Sequence, residues 1–335
     1  MSERSQHLPI IASYLLAVLA LLLVLHAGLL AALYAGLLVY ALVHLLAPRL
    51  GRHGSHRARI VAVATLGTAI VVMLTLAIWG ALSFFLSKEG SLPVLMKKMA
   101  DLIDQSRDQI PLWLATYLPQ GAEALQQWLT QWMRDHAAQA TQMSQEAGRV
   151  LVHLLIGMVI GAMAALYDTT HVPHYRPLAA AMHQRVVRLH ESFRQIVFAQ
   201  VRIAGINAVF TGIFLAVALP LAGVELPFVK TMIVITFIAG LLPVLGNLIS
   251  NTVIVVVSLS HSLSVALVAL LFLVTIHKLE YFLNAKIIGT QINARAWELL
   301  SAMLVMEALF GIPGVIAAPV FYAYVKNELS AAGMV

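Results

Sequence analysis

Apolar residues along this chain come in long blocks and rarely alternate with polar ones. Residues 8–47 run forty positions with only His26 and Gly28 interrupting near the centre. A helix that crosses a bilayer needs about 20 mostly apolar residues, so this block predicts two spans joined by a tight turn. Further blocks predict a third span over 60–86, a fourth over 150–167 and a fifth over about 203–222. Two later blocks behave differently. Residues 228–260 are thirty-three positions long and are broken by "LPVLGN"; residues 298–326 are broken at "FGIPG". Each is too long for one span and too short for two. Between them, 263–282 reads as an ordinary span ending in "HKLEYF".

Unpaired backbone groups in hydrocarbon cost several kcal/mol each, so a break is tolerated where it is buried in protein or lines a wet cavity. An interrupted helix leaves N–H donors on one half and C=O acceptors on the other, and those ends suit ions or polar solutes. Two interrupted segments in corresponding positions point to a transporter binding site. The expected fold is therefore all-α: a polytopic integral membrane protein with about six full transmembrane helices and two Gly/Pro-broken re-entrant hairpins. One span plus one broken hairpin, repeated in the opposite orientation, makes an inverted repeat. The alternative is that each broken block forms kinked full spans held by their neighbours.

The polar segments set the expected organisation. Residues 1–87 hold the first three spans and 88–149 an extracytoplasmic amphipathic segment. The fourth span and a basic cytoplasmic helix occupy 150–202, and a transport core occupies 203–335 with its hairpins at 228–260 and 298–326. "PRLGRHGSHRAR" (48–59) has four arginines and no acid, and 168–202 has five arginines against Asp168 and Glu191. Both belong on the cytoplasmic side by the positive-inside rule, which places the N-terminus there too. Residues 87–149 balance six Lys/Arg against seven Asp/Glu and are free to face outward. In that segment Leu125, Trp128, Leu129, Trp132 and Met133 share one helix face, and the tryptophans suit headgroup contact or a small helical cap. Met182, Val186, Leu189, Phe193, Ile196 and Gln200 step like a short heptad seam, with Arg185, Arg188 and Arg194 off it.

Composition agrees. The 335 residues are 61% hydrophobic and 11% charged, against about 25% charged in a soluble domain. The formal net charge of +6 marks cytoplasmic loops and predicts no nucleic-acid partner. The absence of cysteine excludes disulfides and thiolate metal sites. The N-terminal apolar run lacks a convincing cleavage site and reads as a membrane helix. "HESFR" at His190 is not HExxH, because Arg194 stands where the second histidine belongs. No GxSxG or P-loop appears, so an enzyme is not expected, nor a cofactor or metal.

The candidate solute or ion pathway is built from the breaks and the acids near them: Pro243, Gly246, Asn247 and Asn251 at the first; Glu307, Phe310, Gly311 and Gly314 at the second; and Glu280 and Asn284 between them. An acid inside a membrane helix costs at least about 2.5–3.5 kcal/mol on insertion scales, so Glu280 and Glu307 need a reason to be there. Either could carry a coupling proton. Equally, Glu280 could pair with Lys278 or Lys286, and Glu307 could reach water or an arginine. The asparagines could bind solute or satisfy freed backbone. Gly157-xxx-Gly161 reads as close helix packing.

With these residues in hand, the chain resembles the autoinducer-2 exporter (AI-2E) family of bacterial membrane proteins over roughly residues 167–328. "FAQVR" carries the family's glutamine element through Gln200, with Ala199 where glycine is usual. "LLPVLGNLIS" matches its Pro-x-x-Gly stretch through Pro243 and Gly246, and "HKLEYFLNAKIIG" its glutamate segment through Glu280, Lys286 and Gly289. "LFGIPGVIAAPVFYAYVK" matches its C-terminal signature through Phe310, Gly311, Gly314, Ala317 and Pro319. The sequence departs at Glu298, Ala285 and Glu307. The resemblance implies a bacterial inner-membrane exporter of a small polar or amphiphilic solute, such as a signalling molecule, with H+ or Na+ as coupling ion and a homo-oligomeric assembly in the lipid bilayer. Alternative readings of a different class are a passive channel, and a scaffold acting through its basic and Trp-rich helices.

Overall fold

The structure, a computed structural model, describes residues 3–50, 57–70, 72, 127, 131, 135, 137–167, 175–241, 245–259, 261–292 and 295–334. Most of the extracytoplasmic segment, with its tryptophans at 113, 128 and 132, lies outside these residues, as do the end of the third span and Pro243. The described residues are helical, and no strand occurs among them. They belong to two compact units: Met1–Thr68, Ala147–Arg202 and Phe282–Val335 form the first, and Ala69–Glu146 with Ile203–Tyr281 the second.

In the first unit, α1 (Glu3–His26) and α2 (Leu30–Leu50) pack on each other. The turn between them holds Gly28 at φ +68°, a left-handed conformation that glycine adopts without a Cβ penalty. The forty-residue block is thus the two apolar helices its pattern predicts, each long enough to cross a bilayer. Helix α3 (Ala137–Tyr167) crosses α2 at close range. A Cβ on Gly161 would lie 2.2 Å from the Gly36 carbonyl oxygen, and one on Gly157 2.1 Å from that of Ala32. Small residues on both helices let the backbones touch, as the Gly157-xxx-Gly161 spacing implies. Val39, Val43, Ala47, Ala62 and Ala165 form a buried cluster that ties the helical stretch 57–70 to the same core. Arg59 donates from Nη1 to the Ala165 carbonyl at 2.9 Å, a cation on the exposed acceptors of the last turn of α3.

Helix α4 (Pro177–Ile213) differs from expectation. The basic helix and the fifth span are one continuous helix of 37 residues, with no proline between its first residue and Ile213 and with Gly205 carried inside it. Its buried face is also turned. Ala181, Arg185, Ser192, Phe193, Ile196, Ala199 and Ile203 are buried, while Val186 is 56% exposed. The heptad seam placed Val186 inside and Arg185 outside; an ion pair draws Arg185 inward instead.

The second segment of the second unit, Ile203–Tyr281, starts within α4. The helix widens into a π-helical turn, Phe214–Ala218, where the Leu219 N–H bonds back to the Phe214 carbonyl. Pro220, one residue on, has no N–H and would press on the carbonyl four residues earlier; the wider turn absorbs the mismatch. Then α5 (Val229–Gly240) and α6 (Leu245–Leu259) pack against each other, and α7 (Leu263–Ile292) follows. Phe214, Leu215, Met232, Ile254, Ala269 and Leu273 are among the buried residues of this core, and the Phe214 and Phe272 rings stack at 4.0 Å. In the first unit, α8 (Ala296–Phe310) and α9 (Ile312–Ala331) form the second packed pair. Among the described residues, four helices are long and apolar enough to span, and shorter apolar helices also occur.

Candidate functional site

Both sequence breaks end one helix and start another that lies back along it. In the second, Gly311 sits at φ +62° and ψ −145°, a region essentially reserved for glycine. Its N–H bonds to the Glu307 carbonyl at 2.7 Å, closing α8, and its own carbonyl accepts from Val315, opening α9. Gly314 lets the helices converge: a Cβ there would lie 1.9 Å from the Met306 carbonyl oxygen. The first break repeats the device. A Cβ on Gly246 would lie 2.0 Å from the Ala239 carbonyl oxygen and 2.8 Å from the Cα of Gly240. Gly246 and Gly314 thus share one role, keeping the returning helix on the backbone of the incoming one.

The other pathway candidates are placed as follows. Phe310 is half-buried at the end of α8, Glu307 is exposed one turn earlier, and Asn251 is half-buried on α6. Asn247 lies on α6, and Glu280 and Asn284 on α7; their side chains, like Pro243, lie outside what is described. Gly246, Asn247, Asn251 and Glu280 belong to the second unit, and Asn284, Glu307, Phe310, Gly311 and Gly314 to the first.

Around the first pair, the second unit buries small polar groups in an apolar core. Asn207 and Thr211 on α4, Thr236 on α5 and Ser250 on α6 are each no more than 8% exposed. The missing Cβ of Gly240 faces Ala204, and that of Gly212 faces Ile233, so α4 and α5 run alongside with Thr236 level with Asn207 and Thr211. Thr236 donates to the Met232 carbonyl at 2.8 Å, a back-bond that leaves its oxygen able to accept. Sequence pattern alone passed over this group, since Asn and Thr one turn apart in an apolar stretch look like helix glue.

The second pair carries charge at its open end. Glu298, in the first turn of α8, accepts from Lys326 Nζ at 2.7 Å and from the Tyr322 hydroxyl, both on α9. The bond from Lys326, then that from Tyr322, holds the Glu298 carboxyl down at about 2. Two residues past Lys326, Glu328 accepts from the Nη1 groups of Arg185 and Arg188, and Asn327 donates to Ser192 Oγ at 2.8 Å. Nearer the break, the Tyr34 hydroxyl donates to the Ile316 carbonyl at 3.3 Å, in the turn that Pro319 deprives of a donor, and its ring meets Phe193 edge-on at 5.1 Å. The far end of the pair is apolar: Leu309 and Ile312 are 67% and 61% exposed.

Long apolar helices and two helix–break–helix pairs closed by glycine are the build of a multi-pass membrane protein. The chain matches the AI-2E family transporter profile over residues 10–332 and belongs to that family. No curated protein and no solved structure matches it. The family match reaches well beyond the stretch 167–328 that carries the motifs.

Proposed function

We propose that this membrane transporter is a secondary exporter of a small polar or amphiphilic solute, coupled to H+ or Na+. Its two broken helix pairs are re-entrant, entering and leaving on one side. The observation that carries the reading is length. At 1.5 Å per residue, α5 with 12 residues reaches about 18 Å and α6 and α8 with 15 each about 22 Å, while α9 with 20 reaches about 30 Å. A hydrocarbon core is about 30 Å thick. Three of the four helices are too short to cross it, and turned back at a glycine they put backbone ends at membrane depth, where such ends hold solutes and ions in transporters. The gradient of polarity along α8 and α9 supports the same reading, with charge at the open end and leucine and isoleucine at the tip. The protein works in a bacterial inner membrane as a homo-oligomer, with its arginine-rich segments and N-terminus in the cytoplasm.

Protein in liposomes under an imposed pH gradient tests the proposal, with internal pH followed as autoinducer-type sugars are added. Solute-dependent proton movement that is lost in Glu280→Gln supports coupled export with Glu280 in the pathway. Solute flux that ignores the gradient and survives the substitution makes the protein a pore.

A further inference from the structure

Arg185, Arg188 and Glu328 form a charge cluster in the first unit, at the opposite end of α9 from its break, that the transport proposal does not use. Both guanidiniums donate through Nη1 to one carboxylate oxygen, Oε2 of Glu328. The side chains of Arg185 and Glu328 are only 5% and 6% exposed, and that of Arg188 is 28% exposed. Two cations facing one carboxylate leave one positive charge uncompensated among the described residues. The Tyr14 ring, 4.1 Å from the Arg185 guanidinium, offsets part of it through its π face. The surplus charge sits on Arg188, which is partly open to solvent, so an anion reaching it there would meet both guanidiniums.

Two polar atoms of the same cluster also lack partners among the described residues. Arg185 Nε is a buried donor and Glu328 Oε1 a buried acceptor, each without a hydrogen bond of good geometry, although the Tyr324 hydroxyl one turn earlier on α9 lies against the Glu328 carboxylate. A bridging water would satisfy both atoms but not the charge. A group that answers all three needs carries an anionic oxygen for Arg185 and Arg188 and a hydroxyl that donates to Oε1. A protonated phosphate has both, as P–O⁻ and P–OH. So does the headgroup of phosphatidylglycerol, with its phosphodiester and glycerol hydroxyls. Arg188, partly exposed, marks the way in.

We propose that the Arg185–Arg188–Glu328 cluster is a binding site for an anionic phosphate group bearing a hydroxyl donor. Two fixed guanidiniums match phosphate oxygens through charge-assisted hydrogen bonds, and Glu328 selects for the proton donor. The site stands independently of how solute crosses the membrane.

Thermal unfolding of the full-length protein tests it in two arms. In detergent, sodium phosphate is compared with sodium chloride at matched ionic strength. In nanodiscs, phosphatidylcholine alone is compared with phosphatidylcholine containing phosphatidylglycerol. A ligand that binds only the folded state raises the Tm. A rise in the phosphate arm identifies a soluble phosphate compound, and a rise confined to the phosphatidylglycerol arm identifies the lipid headgroup. Arg188→Gln weakens the effective ligand about tenfold, while Arg176→Gln, at an exposed position, leaves it intact. Glu328→Gln gives a result that a purely structural cluster would not: it lowers the Tm in chloride yet tightens the affinity for phosphate, because it removes the competing negative charge. No rise in either arm overturns the proposal. So does a rise that survives Arg188→Gln, or an affinity for the effective ligand that Glu328→Gln weakens.

Discussion

Glu328 accepts from two arginines while almost wholly buried, and burial decides what its loss would do. Removing the anion of a buried pair leaves the cations uncompensated, at a cost of about 3–5 kcal/mol. Glu328→Ala should therefore lower the midpoint of thermal unfolding in detergent far more than Glu307→Ala, whose side chain is exposed. Glu298 has a different signature. Its carboxyl is held at about 2 against an ordinary 4.5, first by Lys326 and then by Tyr322. A depressed folded-state pKa stabilises the fold above the ordinary value and loses that effect as pH falls through the depressed one. The stability gap between wild type and Glu298→Gln should thus be constant from pH 8 to pH 5 and shrink from pH 4.5 towards 2. A gap that closes already at pH 6 would show that the Glu298–Lys326 pair does not hold in solution.

The helix pairs depend on glycines whose roles differ. Gly311 has open space for a Cβ but a backbone angle that other residues rarely adopt, so Gly311→Ala should cost about 1–3 kcal/mol through strain. Gly314 and Gly246 have ordinary angles and no space, so alanine there must prise the two helices apart. Thermal unfolding should show Gly314→Ala and Gly246→Ala to be worse than Gly205→Ala, since nothing lies within 4 Å of a Cβ at Gly205. Solute flux should fall with them if the breaks serve transport. Equal effects at all three positions would remove the close-approach account.

The chain lacks cysteine, so its topology can be read with single introduced thiols. Trp297, beside the start of α8, is 62% exposed, and Ala332, just past α9, is exposed as well. In the re-entrant arrangement Trp297→Cys and Ala332→Cys react with a membrane-impermeant maleimide from the same side, the cytoplasmic one. Labelling from opposite sides would mean that α8 and α9 together cross the membrane, and the re-entrant reading would fall. Membership of the AI-2E family covers nearly the full length, which assigns transport. The solute and the coupling ion belong to the flux measurement.

Some of this could be read from the residues alone, because hydrophobic blocks and backbone breaks are local properties. A forty-residue apolar run must divide to cross a bilayer, and Gly28 marks where. "FGIPG" cannot continue a helix through Gly311, and "LPVLGN" announces the other turn through Pro243 and Gly246. The face of α4 could not be read this way. Periodicity put Val186 inside and Arg185 outside, as a hydrophobic seam demands, and the fold reversed them. Its reason is Glu328, 143 positions away in sequence. Glu280 and Glu307 stand out because they lie in apolar stretches, whereas the pairing of Glu298 and Glu328 leaves no local signature. What a carboxylate pairs with depends on which helices pack together, and only tertiary structure decides that. Apolar length and glycine breaks act within a few turns of chain; burial of charge is settled between helices far apart in it.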